Sequence, residues 1–242
     1  MEHVRPPTLA RVSHPPSAPE PADPLRSALE RALGHQYRIV RLLGRGGMGA
    51  VFLAREQALE RLVAIKVLPK ASAADEETRQ RFRREARTAA GLSHANIVPL
   101  HGFGEIEGLL YLVMGFVSGE SLRDRLKRDQ RLPEQEARRI LADVAEALAS
   151  AHRHNVVHRD VKPDNILIED ETGRAFLADF GIAKGLDGGE ELTQLGQVVG
   201  TPLYMSPEQA AGKDVDPRSD LYSLGAVAFT MLAGRPPFDR GL

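Results

Sequence analysis

The chain has 242 residues, 42% of them apolar and 27% charged, the make-up of an ordinary globular protein of one to two domains with a core to bury. Thirty-two basic against 33 acidic residues give a formal charge of -1, which argues against a general polyanion binder and so against nucleic acid as a partner. With no cysteine there is no disulfide framework, thiolate zinc site, iron–sulfur cluster or cysteine nucleophile; with no signal-peptide core and no apolar run of about 18 residues, a soluble, cytoplasmic chain without a membrane segment is expected.

Residues 1–24 hold seven of the 16 prolines, spaced so that neither a helix nor a central strand runs through them, and are expected to be a disordered tail. A short helical lead-in over 25–36 stops near Gly34. From Tyr37 to Leu68 the segments YRIVRLL, AVFLAREQ and RLVAIKVL read as a small antiparallel sheet. Asp75–Leu92 reads as a charged helix, and two further strands flank Gly104–Gly108. Over Pro133–His152, Ala137, Ile140, Leu141, Val144, Leu148 and Ala151 fall on one helical face, with Pro133 suited to a first turn. A β-rich portion followed by a helix-rich one predicts an α+β fold of two lobes, divided at a hinge ending near residue 117, with the second lobe over 118–242.

Gly44, Gly46, Gly49 and Val51 fit G-x-G-x-x-G-x-V between two predicted strands. Alone the motif is weak, since a Gly-rich turn also gives it; a dinucleotide fingerprint fits less well because VFLA after the last glycine reads as strand, and no βαβ repeat is present. Either way, glycines let backbone N–H groups approach phosphate oxygens. In the strand Val63–Val67 the apolar residues alternate, so Ala64 and Lys66 point together to the other side. A lysine near phosphates calls for a carboxylate, and Glu85 is the best candidate; the competing reading is an ordinary charged helix face among Arg79, Arg81, Arg83, Arg84 and Arg87. Further on, His158, Arg159, Asp160, Lys162, Pro163, Asp164 and Asn165 form a loop that presents chemistry rather than a helix interior, and Asp179-Phe180-Gly181 follows. Asn165 and Asp179 offer oxygens to a hard cation such as magnesium, leaving Asp160 to receive a hydroxyl proton.

These motifs in this order, with GTPLYMSPEQ after them, resemble the eukaryotic-like (Hanks-type) Ser/Thr protein kinases of bacteria from Tyr37 to Phe238. The resemblance implies a two-lobed kinase fold and a protein kinase that moves the γ-phosphate of ATP to Ser or Thr hydroxyls of protein substrates, with ATP and Mg2+ as cofactors. It implies that Gly44, Gly46 and Gly49 cover the phosphates, that Lys66 holds the α- and β-phosphates, and that Glu85 anchors Lys66 in the active state. It implies further that Asn165 and Asp179 bind magnesium, that Asp160 accepts the hydroxyl proton, and that Lys162 neutralises charge on the transferring group. Val51, Ala64 and Leu167 should enclose adenine, with Met114 as gatekeeper and the backbone of Gly115 and Val117 at the adenine edge. Gly115 replaces the family's usual acidic residue and is expected to add backbone freedom to the hinge. Arg159 should pair with a phosphorylated activation loop; Thr193, the only hydroxyl between Gly181 and Gly200, is the expected autophosphorylation site and Thr201 a structural residue. N-lobe homodimers are also implied.

Asp220 resembles the aspartate that opens the central helix of the second lobe. The family continues after the position of Phe238, so the sequence is expected to be a kinase domain truncated after that helix. Glu208 would then be without its arginine partner, a cost if it is buried, and Val227, Phe229, Met231 and Leu232 would lose part of their cover. A second reading therefore stands beside the kinase: a non-catalytic nucleotide-binding pseudokinase or inactive fragment.

Overall fold

The computed structural model describes residues 23–46, 49–68, 75–180 and 202–238. Most of the expected proline-rich tail lies outside them, although Pro24 is already helical: α1 runs over Pro24–Leu33, with Asp23 at its N-cap accepting the Leu25 N–H at 3.0 Å. Next come β1 (Tyr37–Gly46), β2 (Gly49–Glu56), β3 (Arg61–Val67), α2 (Glu76–Ala90), β4 (Leu100–Ile106) and β5 (Leu109–Gly115). The strands form one antiparallel sheet in the order β1-β2-β3-β5-β4.

Residues directly opposite in an antiparallel pair share a face, so the register sorts the sheet into two. Gly44, Val51, Lys66 and Leu112 form one row, and Leu53, Ala64 and Met114 the next on the same face. The other face, with Ala50, Phe52, Ala54, Val63, Ile65, Val67 and Val113, is covered by Ala28, Leu29 and Leu33 of α1. The short helix expected only as a lead-in is thus the lid of a separate apolar cluster.

Helix α2 is capped by Asp75 and buries Phe82, Ala86 and Ala89, with Phe82 edge-on to Phe103 at 5.9 Å. Its arginines follow the bland reading: Arg79, Arg81 and Arg83 pair with Glu76, Glu77 and Glu105 at the surface. The segment between α2 and β4 is bonded to the second lobe. Val98 N–H donates to the Leu177 carbonyl (3.0 Å), Leu177 N–H to the Asn96 carbonyl (2.8 Å), and the Asn96 side-chain amide to the Ala175 carbonyl (2.9 Å).

The second lobe contains β6 (Gly119–Ser121), α3 (Leu122–Asp129), α4 (Glu134–Arg153), β7 (Ile166–Glu169), β8 (Ala175–Leu177), α5 (Pro207–Ala210) and α6 (Pro217–Ala233). Ala137, Ile140, Val144, Leu148 and Ala151 of α4 are buried as the periodicity predicts, with Leu141 partly so; Pro133 is the N-cap residue rather than part of the first turn. In α6, Val227 and Met231 are fully buried, contrary to expectation, because they face α4 and the core, whereas Phe229 and Leu232 are exposed. Glu208 is not a buried orphan: it is half-buried and accepts a hydrogen bond from Ser219 Oγ, which holds its carboxyl below the usual range.

Candidate active site

The loop from His158 to Asn165 hangs from one buried carboxylate. Asp220, at the start of α6 and 1% exposed, accepts the backbone N–H of His158 (2.8 Å) and of Arg159 (2.9 Å), and His152 Nε2 (2.8 Å). Arg159 is held at φ 65°, and Asp179 at φ 60°, both in the left-handed region that costs a non-glycine residue about 1–3 kcal/mol. That strain is sustained by the surrounding bonds. His158 is fully buried, with Nε2 2.9 Å from the Ala178 carbonyl and Nδ1 3.2 Å from the Asp160 N–H. A carbonyl only accepts and an N–H only donates, so the ring is the neutral Nε2–H tautomer, in keeping with a pKa that burial pushes down.

Asp160 is the centre of the loop. Its Oδ2 meets Lys162 Nζ at 2.8 Å and the Asn165 amide at 2.9 Å; the same amide reaches the Asp160 carbonyl at 2.8 Å. Both atoms facing that amide are acceptors, which fixes its NH2 there and leaves Asn165 Oδ1 as the outward oxygen. Ala178 N–H donates to the Asn165 carbonyl (2.9 Å), so Asp179 is carried next to this loop.

From the first lobe, Lys66 enters almost completely buried and pairs with Asp179 at 2.8 Å. This differs from the expected partner: Lys66 makes no ion pair with Glu85 among the described residues. Glu85 is half-buried on α2, its carboxyl raised by burial, and the largest opposing influence on it is the charge of Arg159, followed by Arg84 and Arg81. The spacing of residues on α2 does not reveal which cation Glu85 faces, because the rotation and tilt of α2 are set by core contacts far along the chain.

The glycines differ among themselves. A Cβ at Gly44 or Gly46 would meet no heavy atom within 4 Å, and neither has a positive φ, so these two keep space clear on the Lys66 side of the sheet. Gly49 sits at φ 108°, and a Cβ there would lie 1.9 Å from the Val67 carbonyl oxygen. Val51, Ala64 and Met114 lie on that same sheet face, and Leu167 is half-buried on β7 opposite Ser121 and Phe176. Gly115 is not the loose joint expected: it pairs with Val63, donates its N–H to the Pro99 carbonyl at 2.9 Å, and a Cβ on it would lie 3.0 Å from the Pro99 ring. Val117 follows in irregular, half-buried chain. Thr193 and Thr201 lie outside the described residues.

No group of three or more His, Cys, Asp or Glu able to hold a metal occurs among the described residues. The residues present nevertheless fit magnesium, which is commonly held by one or two protein oxygens together with water and substrate phosphates: Asn165 Oδ1 and Asp179 are such oxygens, and the clear space at Gly44 and Gly46 suits a phosphate chain. A contact at the loop that sequence reasoning missed is His152 on Asp220, a pairing across 68 residues whose sequence signal is no more than a histidine near the end of an amphipathic helix.

Comparison with known proteins agrees with this geometry. The protein kinase domain model matches residues 37–241. Serine/threonine-protein kinase pkn3 of Myxococcus xanthus is 43% identical over 216 residues, covering 86% of this chain and 40% of that protein. Serine/threonine-protein kinase PknB of Mycobacterium leprae is 46% identical over 210 residues, covering 85% of this chain and 34% of that protein. The chain therefore spans well under half the length of these two relatives. Among solved structures, the PknI kinase domain of Mycobacterium tuberculosis, as a C20A_R136N double mutant, superposes with a TM-score of 0.71 at 37% identity, over 84% of this chain and 78% of that one. The helix-hung loop, the buried lysine and the glycine hairpin thus sit on a fold of known kind, and the chain belongs to the protein kinase domain family.

Proposed function

We propose that this chain is a serine/threonine protein kinase domain that uses Mg-ATP to phosphorylate Ser and Thr hydroxyls of protein substrates, itself included. The reading is carried by one observation: Asp160 is held by Lys162 and Asn165 on a loop whose neighbour Asp179 is paired with the buried Lys66 of the other lobe. Such an arrangement sets a proton acceptor, cations and metal-binding oxygens around one point, which is what phosphoryl transfer requires of a protein.

In this reading the substrate hydroxyl oxygen bonds to the γ-phosphorus as the bond to the β–γ bridging oxygen breaks, ADP leaves, and the hydroxyl proton passes to Asp160. Lys162 offsets charge on the transferring group and Lys66 holds the α- and β-phosphates. Gly44, Gly46 and Gly49 present backbone N–H groups to the phosphates; Val51, Ala64, Leu167 and Met114 enclose adenine, whose edge meets the backbone of Gly115 and Val117. Magnesium, when held by Asn165 and Asp179, neutralises phosphate oxygens. We assign Glu85 to Lys66 in the switched-on state, Arg159 to a phosphate on Thr193, and a structural role to Thr201. No helix among the described residues is long and apolar enough to cross a membrane. The reading also includes a cytoplasmic setting, protein rather than nucleic-acid partners, and an N-lobe homodimer.

Intact-mass spectrometry of the chain incubated with Mg-ATP and a basic protein substrate tests this, beside Asp160→Asn. Phosphate should be gained by the unmodified chain and fall by about 10²–10⁴ in rate in the variant, the worth of a general base. Folded, unmodified chain that gains and transfers no phosphate would favour the non-catalytic binding module instead.

A further inference from the structure

Helix α1 precedes the stretch matched by the kinase family, 37–241, yet it is fastened to the hairpin that carries Gly44, Gly46 and Gly49. Side chains alternate along β1, so Arg45 faces away from the side that Gly44 and Gly46 keep clear. The register agrees: Gly44 lies opposite Val51, which lies opposite Lys66, whereas Arg45 lies opposite Ala50, a buried member of the cluster under α1. On that outer side the Arg45 guanidinium is ion-paired with Asp23 Oδ2, while Asp23 Oδ1 caps α1 through the Leu25 N–H. One carboxylate therefore joins the first turn of the helix to the middle of the hairpin. The last turn is joined to the same lobe: Arg31 makes a two-pronged contact with Glu107 in the β4–β5 turn, with distances of 3.2, 3.1 and 2.9 Å. Between these two ties Ala28 and Leu29 are buried against the sheet, and Leu33 is buried just beyond the second.

We propose that α1 is a strap that positions the glycine hairpin for nucleotide from the face opposite the phosphates, with Asp23 and Arg45 as positioning residues. A hairpin rich in glycine loses much conformational freedom when it closes on a ligand. A tie present before binding removes part of that cost and strengthens nucleotide affinity without touching the nucleotide. It acts on ground state and transition state alike, so its loss falls on KM for ATP rather than on kcat. The strap's value to catalysis rests on the kinase reading above; the tie itself does not.

The test uses the full chain, Asp23→Ser, Arg45→Met and the double variant. Serine still caps a helix, so Asp23→Ser removes the ion pair and spares α1. Two quantities are read: equilibrium affinity for MgATP, and amide hydrogen exchange of residues 44–46 and 49–51 in the nucleotide-free protein. Each single variant should weaken MgATP binding about two- to five-fold, the range of an exposed ion pair, and speed exchange in the hairpin; the double variant should be no worse than either single. Additive effects, or hairpin exchange unchanged in both singles, would overturn the strap. If the unmodified chain binds no MgATP the kinase reading fails instead, and hairpin exchange in the nucleotide-free chain still decides whether Asp23 and Arg45 hold the loop.

Discussion

Asp220 shows how much of the loop from His158 to Asn165 depends on one buried side chain. Its two oxygens accept from three donors, the N–H groups of His158 and Arg159 and the His152 ring, and none of them is an acceptor. An asparagine at this position must turn its NH2 toward at least one of those donors, and an alanine leaves all three unpaired in a buried site. Asp220→Ala is therefore expected to cost about 3–5 kcal/mol, the range for breaking a buried charged interaction, and Asp220→Asn a substantial part of it. Urea denaturation measures both; a loss below about 1 kcal/mol in Asp220→Ala would mean that the loop holds its strained Arg159 by other means. Residue types were legible at this scale, because Asp160, Lys162, Asn165 and Asp179 lie within one short stretch of sequence. Partners were not: Lys66 pairs with Asp179 rather than Glu85, a choice made by how α2 sits against the sheet, and His152 reaches Asp220 only through the packing of α4 on α6.

The glycine hairpin separates two uses of the same residue within one element. Gly49 is glycine for its conformation, with φ 108° and the Val67 carbonyl oxygen 1.9 Å from where a Cβ would stand. Gly46 is glycine for space, with nothing within 4 Å of its Cβ position. Gly49→Ala should thus lower stability by about 1–3 kcal/mol and disturb the Ala50–Val67 pairing, because a positive φ and a backbone contact must both be relieved. Gly46→Ala should leave stability within about 0.5 kcal/mol and instead weaken MgATP binding, since its methyl group enters the cleared side. Melting curves with nucleotide titrations on the two variants separate these effects; equal melting loss in both would contradict the division. The strands around this hairpin were legible as alternating apolar runs, and the helix α4 as a face repeating every three to four residues, since both follow from local geometry. The role of α1 was not, because a ten-residue amphipathic segment has the same pattern whether it leads in from solvent or covers a sheet, and only the apolar outer face of β2 and β3 distinguishes the two.

At the scale of the whole molecule, two apolar clusters divide the work differently from the two lobes. One lies wholly within the first lobe, between α1 and the outer sheet face. The other runs without a break from Phe82 and Ala86 of α2 and Leu110 and Leu112 of β5, through Ile140 and Leu148 of α4, to Leu177 of β8 and Val227 and Met231 of α6. Leu177 stands at the junction: it is fully buried, forms a bridge to Ile97, and its backbone bonds to Asn96 and Val98 in the segment that leads from α2 to β4. The lobes are thereby coupled through a shared core that lies beside the Lys66–Asp179 pair. Shortening a side chain in that core should be felt on both sides of the site, whereas one in the outer cluster should not, because packed interiors transmit a cavity to the atoms that line it. Leu177→Ala is expected to cost about 2–5 kcal/mol and to lower amide protection in β4, β5 and α2 together with α4. Leu29→Ala, at a site 2% exposed under α1, should reduce protection in β1–β3 and leave α4 as it was. Hydrogen exchange on the two variants reads the pattern directly: loss confined to α4 and its neighbours in Leu177→Ala would mean that the lobes unfold independently, and that Lys66 and Asp179 are aligned by their own ion pair rather than by the core beneath it.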